Sequence, residues 1–180
     1  MSHLFENAAV ELLRKEGTVA AAEALAGKTY VLVYFSAHWC PPCRSFTPKL
    51  KAFYEKHHVT HSFQVLFISS DSSPDEMKTY FNEAHGDWLA LQYKDAQTIG
   101  REWAQQHGLV SIPSLLVLEN NAERRLVTSY GRDMVLRDPE AQSFPWHNAA
   151  AIINAARRSF MQKTAAIVVL AILLLTLLIQ

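Results

Sequence analysis

Cys40 and Cys43 are the only two cysteines of the chain, and they stand in the stretch SAHWCPPCRSFTPKL, separated by Pro41 and Pro42 with Trp39 in front. Two thiols at that spacing can close a small disulfide or share a metal ion. The residues around them decide between the two. Before the pair, TYVLVYF is a continuous apolar run rich in β-branched and aromatic residues, which predicts a strand covered on both faces. After it, Phe46, Leu50, Phe53 and Tyr54 recur at helical spacing, and Pro48 is expected to kink the helix they define. A sulfur placed between strand and helix meets unpaired N–H groups and the positive end of the helix dipole, and both favour an anion. The thiolate is the nucleophilic form, and in motifs of this kind the thiol pKa falls from about 8.5 toward ~7 or lower.

Pro41 and Pro42 have no N–H and fix φ, so the loop between the sulfurs is stiff and should hold Cys43 close behind Cys40. This predicts thiol–disulfide exchange: Cys40 attacks a partner's disulfide to give a mixed disulfide, and Cys43 then attacks Cys40 and releases the reduced partner. Trp39 is expected as a flat apolar wall beside the attacking sulfur. Arg44 could add charge there, although an exposed helical arginine is usually just solvated. Zinc is the rival reading, because Cys40-x2-Cys43-x13-His57-x3-His61 falls within the spacing of a Cys₂His₂ finger. If residues 43 to 57 form one helix, its ends lie about 21 Å apart, far beyond joint ligation at ~2.0 to 2.3 Å. His57, His58 and His61 are then expected at a solvated helix end, where histidine suits the dipole.

The elements that must position the pair follow from the rest of the chain. SFQVLFIS predicts a second buried strand, and strand, helix and strand make a right-handed βαβ unit. The first 27 residues read as helical or mixed, closing at Gly27. Ser73, Pro74 and Glu76 form a capping box for a helix whose apolar stripe is Met77, Tyr80, Phe81 and Ala84. Asp95 is expected to cap a third helix carrying Ile99 and Trp103, ended by Gly108. IPSLLVLE, the polar turn NNAE and RRLVTSY predict a hairpin, and a helical segment from about His147 leads into the tail.

Lys and Arg total 17 against 17 Asp and Glu, a formal net charge of +0, so no basic field exists to gather nucleic acid. The N-terminus, MSHLFENAAVELLRKEG, lacks the unbroken apolar run of a secretion signal, and export is not expected. The far end differs. Thr164 to Ile179 reads TAAIVVLAILLLTLLI, without a charge. As a helix it would be about 24 Å long, short of the ~30 Å hydrocarbon core, but it has no polar face, as membrane helices do not. Arg157, Arg158 and Lys163 precede it and suit a cytosolic flank. The expected organisation is a domain over 1–147, a helical basic linker over 148–163 and a membrane anchor over 164–180.

The residues WCPPCR, with FSA before and FTP after, resemble the thioredoxin superfamily and, within it, the tryparedoxins. DWLALQY, SIPS and RDMVLRDPEAQSFPW add to the likeness, which covers about Leu25 to Trp146; WCPPC alone also admits nucleoredoxin-like proteins. The resemblance implies an α/β thioredoxin-like fold, a central mixed sheet flanked by helices, to which the tail would add a C-terminal transmembrane helix. It implies a monomer with no bound cofactor, whose redox-active disulfide takes electrons from trypanothione and passes them to peroxiredoxins, glutathione-peroxidase-like enzymes and other disulfide clients. By the same resemblance Cys40 is the nucleophile and Cys43 the resolving thiol. Substrate would be met by Trp39, Pro41, Pro42, Ile112, Pro113 as a cis-proline opposite the dithiol, and Arg132.

Three departures stand out. Ser70 and Ser72 replace the tryptophan and glutamate that tryparedoxins usually carry there, and Tyr34 stands where thioredoxins have a buried acid. With an ordinary pKa of ~10, a tyrosine is a poor base near neutrality, so proton relay must run through solvent or another group. The apolar tail resembles a tail anchor, pointing to the mitochondrial outer membrane ahead of the endoplasmic reticulum, with the catalytic domain in the cytosol. A tethered client-binding module with little turnover is the alternative from another class. A disulfide isomerase of an oxidising lumen conflicts with the missing signal.

Overall fold

A computed structural model describes residues 10–178, without the side chains of residues 169–170 and 173–178. The described chain separates into two units, divided between His147 and Asn148. The first is built on a seven-stranded sheet: β1 (Glu11–Leu13), β2 (Thr18–Ala20), β3 (Tyr30–Ser36), β4 (Phe63–Ser69), β5 (Leu89–Leu91), β6 (Ser114–Glu119) and β7 (Leu126–Thr128), in the order β2-β1-β5-β4-β3-β6-β7. β3, β4 and β5 run parallel, while β1, β2, β6 and β7 join antiparallel, so the sheet is mixed as expected. Its helices are α1 (Ala21–Ala24), α2 (Pro41–His57), α3 (Pro74–Ala84), α4 (Tyr93–Asp95 and Arg101–Gln106, flanking a π-helical segment Ala96–Gly100) and α5 (Gly131–Arg137).

β3 and β4 are mostly apolar because both of their faces are covered. Val31, Val33, Phe35, Leu66 and Ile68 face a cluster with Leu12, Leu25, Leu91 and Trp103. The alternate residues of the same strands turn the other way, where Phe53, Phe63, Tyr54 and Trp88 contact one another ring to ring. α2 runs unbroken through Pro48 and buries Phe46, Leu50, Phe53 and Tyr54, its predicted stripe.

Several expectations need correction. Residues 11–20 form a hairpin of short strands, because β1 finds a non-local partner in β5, with Leu12 opposite Leu91. Asp95 does not cap a helix: its own φ and ψ are helical, and the turn has already begun at Tyr93. Ser73 does cap α3, accepting the Glu76 N–H at 3.2 Å, but the returning Glu76 carboxylate accepts the N–H of Ser72. His57 is buried rather than solvated, its Nε2 2.9 Å from the Pro139 carbonyl, and His58 stacks on Tyr54. Among the described residues no group of three or more His, Cys, Asp or Glu could hold a metal ion.

The second unit contains one continuous helix, α6 (Ala149–Leu178), which runs through the expected linker and the apolar segment as far as Leu178. Among the described residues no helix is long and apolar enough to cross a membrane, so the expected transmembrane helix is not found there. Much of the segment that suggested it, including Leu170, Leu173 to Leu178 and Ile179, lies outside the described side chains.

Candidate functional site

Cys40 is the N-cap of α2, in extended conformation at φ −89° and ψ 108°, with Pro41 and Pro42 opening the helix. Neither proline has an N–H, so the first amide hydrogen of the helix is that of Cys43, and it donates to Cys40 Sγ at 3.3 Å. One amide and the end of the helix dipole thus converge on one sulfur, the arrangement that stabilises a thiolate. Cys40 and Cys43 are joined here as a disulfide, with their Cα atoms 5.2 Å apart. Burial distinguishes the two: Cys43 is wholly covered, whereas Cys40 keeps 4% of its surface exposed and lines a groove.

The groove measures about 500 Å³ and is lined by Phe35, Trp39, Cys40, Ser70, Ser111 and Ile112, among others, none of them charged. Trp39 is 56% exposed, so it is not a core tryptophan. Its indole N–H donates to the Ser70 carbonyl at 3.0 Å, which fixes the ring at the groove wall. The Ile112–Pro113 bond is cis, and the Ile112 carbonyl oxygen lies 3.9 Å from Cys40 Sγ. Pro41 and Pro42 are exposed beside the pair, while Pro113 is buried. Arg132 is exposed in the first turn of α5 and does not line the groove. Arg44 donates to the His38 carbonyl at 2.8 Å, so it braces the loop.

Two groups of functional residues were not foreseen. Asp71, 3% exposed, accepts the His38 N–H at 2.6 Å with one carboxylate oxygen and the Ser69 hydroxyl at 2.7 Å with the other. Together with Ser70 N–H to the Ser36 carbonyl, it fastens the loop before Cys40 to the end of β4. The signal was an acid among serines directly after a buried strand, in ISSDSS. The second group lies behind Cys43. Tyr34, Ser36, Thr47 and Tyr80 are all buried and meet oxygen to oxygen at 2.5 to 3.2 Å. Burial, then the neighbouring Tyr80, push the Tyr34 phenol far above its ordinary pKa, so it stays protonated at any physiological pH. Thr47 could have been noticed four residues after Cys43, one helical turn on.

This geometry suits a two-electron exchange. A Cys40 thiolate would bond to one sulfur of an external disulfide as the other leaves as a thiolate; Cys43 would then bond to Cys40, expelling the second external sulfur and leaving the oxidised pair seen here. A thioredoxin-like family model matches residues 27–123. Tryparedoxin of Trypanosoma brucei brucei is 41% identical over 140 residues, 78% of this chain and 93% of that protein. Nucleoredoxin of Bos taurus is 42% identical over 137 residues, 76% of this chain but only 30% of nucleoredoxin. Tryparedoxin II from C. fasciculata superposes with a TM-score of 0.74 at 38% identity, covering 83% of this chain and 95% of that one. A tryparedoxin II complexed with glutathionylspermidine gives a TM-score of 0.71 at 37% identity, covering 81% and 99%. The chain therefore belongs to the thioredoxin-like family as a homologue of tryparedoxin, a thiol–disulfide oxidoreductase whose redox group is the Cys40–Cys43 pair.

Proposed function

We propose that this chain takes electrons from a small dithiol of the trypanothione type and delivers them to peroxiredoxins, glutathione-peroxidase-like enzymes and other protein disulfides, acting as a monomer. The observation that carries the reading is the Cys43 N–H held on Cys40 Sγ at the edge of an open groove. The relative complexed with glutathionylspermidine supports the donor class. Trp39, Pro41, Pro42, Ile112 and Pro113 would form the contact surface, with the Ile112 backbone pairing to an extended client and Arg132 reaching its periphery. The test is turnover of the full chain with a peroxiredoxin and peroxide, fed in turn by reduced trypanothione, by glutathione and by thioredoxin with its reductase. Preferential turnover with trypanothione supports the proposal. Turnover only with thioredoxin and its reductase would instead favour a nucleoredoxin-like reductase, a reading supported by the nucleoredoxin match and by Ser70 and Ser72, which stand where tryparedoxins usually carry a tryptophan and a glutamate. Negligible rates with every donor would favour a binding module.

The C-terminal segment is proposed to tether the enzyme to a membrane, the mitochondrial outer membrane first, with residues 1–147 in the cytosol. Its support is the charge-free run from Thr164, the exposed Ile167, Val168 and Ile172, and the basic flank at Arg157, Arg158 and Lys163. Protease treatment of intact organelles should digest the catalytic domain, and deleting residues 164–180 should release it. A protected domain would overturn this topology.

A further inference from the structure

The buried hydroxyls behind the redox pair obey a count with chemical consequences. Tyr34 and Ser36 come from β3, Thr47 from α2 and Tyr80 from α3, and none is more than 1% exposed. They form a closed ring: Ser36 to Tyr34 at 2.9 Å, Tyr34 to Thr47 at 2.8 Å, Thr47 to Tyr80 at 2.5 Å and Tyr80 to Ser36 at 3.2 Å. Thr47 also donates to the Cys43 carbonyl at 2.9 Å. Each hydroxyl carries one proton, so five contacts compete for four protons. When Thr47 gives its proton to Cys43, it must accept from both tyrosines. When all four protons circulate within the ring, the Cys43 carbonyl loses that bond.

Thr47 is the hub, since three of the five contacts end on its oxygen. Removing either tyrosine oxygen deletes two contacts and one proton, leaving a satisfied chain from Ser36 through the other tyrosine and Thr47 to Cys43. Removing the Thr47 oxygen deletes three contacts, among them the only one that reaches the redox pair. It also strands a buried hydroxyl proton without an acceptor, which is costly. We infer that Thr47 is a positioning residue for the resolving cysteine: its hydroxyl, braced by Tyr34 and Tyr80, fixes the first turn of α2 so that the Cys43 sulfur meets Cys40 in line. Cys40 takes the Cys43 N–H on its sulfur, but it is also held by the Ala37 carbonyl through its own N–H and by the Ile112 loop beside its sulfur. The second half of the exchange should therefore depend on Thr47 more strongly than the first half.

The reduced full chain mixed with 5,5′-dithiobis(2-nitrobenzoate) separates the halves. Cys40 thiolate cleaves the reagent and releases one thionitrobenzoate; Cys43 then gives its proton to solvent, bonds to Cys40 and releases the second. Thr47→Val should slow the second release about tenfold, the scale of one lost hydrogen bond, with the first within about twofold. Thr47→Ser, which keeps the hydroxyl, should restore it, and Tyr34→Phe or Tyr80→Phe should each cost no more than about threefold. Thr47→Ala removes the same oxygen and replaces valine if that variant does not fold. A second release unaffected in both Thr47 variants, or both releases slowed equally, overturns the inference.

Discussion

Asp71 is the most exacting test of how the loop before Cys40 is held. Its two carboxylate oxygens each accept one bond, from the His38 N–H at 2.6 Å and from the Ser69 hydroxyl at 2.7 Å, in a side chain only 3% exposed. Asp71→Asn keeps the shape but turns one acceptor into a donor, so one of those two groups must face an N–H. A hydrogen bond to a charged group contributes about 1.5–3 kcal/mol, and a stranded buried partner adds a further penalty. The expected loss is roughly 2–4 kcal/mol, a large part of the 5–15 kcal/mol typical of a domain. At about 2–4 °C per kcal/mol for a chain of this size, Tm should fall by roughly 5–15 °C. Because His38 lies two residues before Cys40, the first thionitrobenzoate release should slow as well. Ser69→Ala leaves Asp71 its bond to His38 but removes both the donor to its carboxylate and the acceptor of its N–H, and should cost about 1–3 kcal/mol. Urea titration of the three proteins in the oxidised state gives the stabilities. An asparagine variant within about 0.5 kcal/mol of the parent, reacting at the parent rate, would refute the argument.

Other outcomes follow from the same geometry. Pro42→Ala gives the helix a second free N–H near Cys40 Sγ, and one more hydrogen bond of ~1 kcal/mol should lower the thiol pKa by about half a unit to one unit; ultraviolet titration of the thiolate would contradict this if the pKa rose. Cys40→Ser should abolish insulin reduction, while Cys43→Ser should trap clients as mixed disulfides; an active Cys40→Ser protein would remove the nucleophile from its role. His85 is buried, and desolvation, then Lys15, hold its pKa well below the usual 6.5. The unfolded chain thus binds a proton that the folded one refuses, and stability should fall as pH drops through about 6.5, by at most ~1.4 kcal/mol per unit for this group. The partly buried His107 shifts in the same direction and adds to the loss. A Tm flat from about pH 7 to pH 5 would contradict the burial of His85.

How much of this could be read in the chain depended on how local each cause was. β3, β4 and α2 were legible because their apolar periods are internal to short segments, and the hairpin of β6 and β7 because its turn residues stand between two such runs. The helix over Gly131–Arg137 was not read from the sequence, being a short element whose buried Met134 and Val135 define no clear period. β1 and β2 have three residues each and are strands because Leu12 lies opposite Leu91, a pairing no window around residue 12 contains. His57 reads as a solvated helix end until Pro139, distant in sequence, supplies an acceptor at 2.9 Å.

The site divides along the same line. The attacking sulfur was legible because its activation is local: a cap position, two prolines and the next amide all fall within four residues. The support behind it was not, because Tyr34, Ser36, Thr47 and Tyr80 come from three elements and become a unit only when β3, α2 and α3 pack together. Tyr34 was noticed solely as a missing acid, and as a lone phenol it has no evident use. Beside three other hydroxyls it gains one: a neutral ring can occupy a buried position next to Cys43 without the desolvation cost of a carboxylate, while still giving the resolving cysteine's backbone a hydrogen-bond partner. The tyrosine therefore sets a neutral hydroxyl, bonded to Thr47, where a buried carboxylate would need a proton or a charged partner.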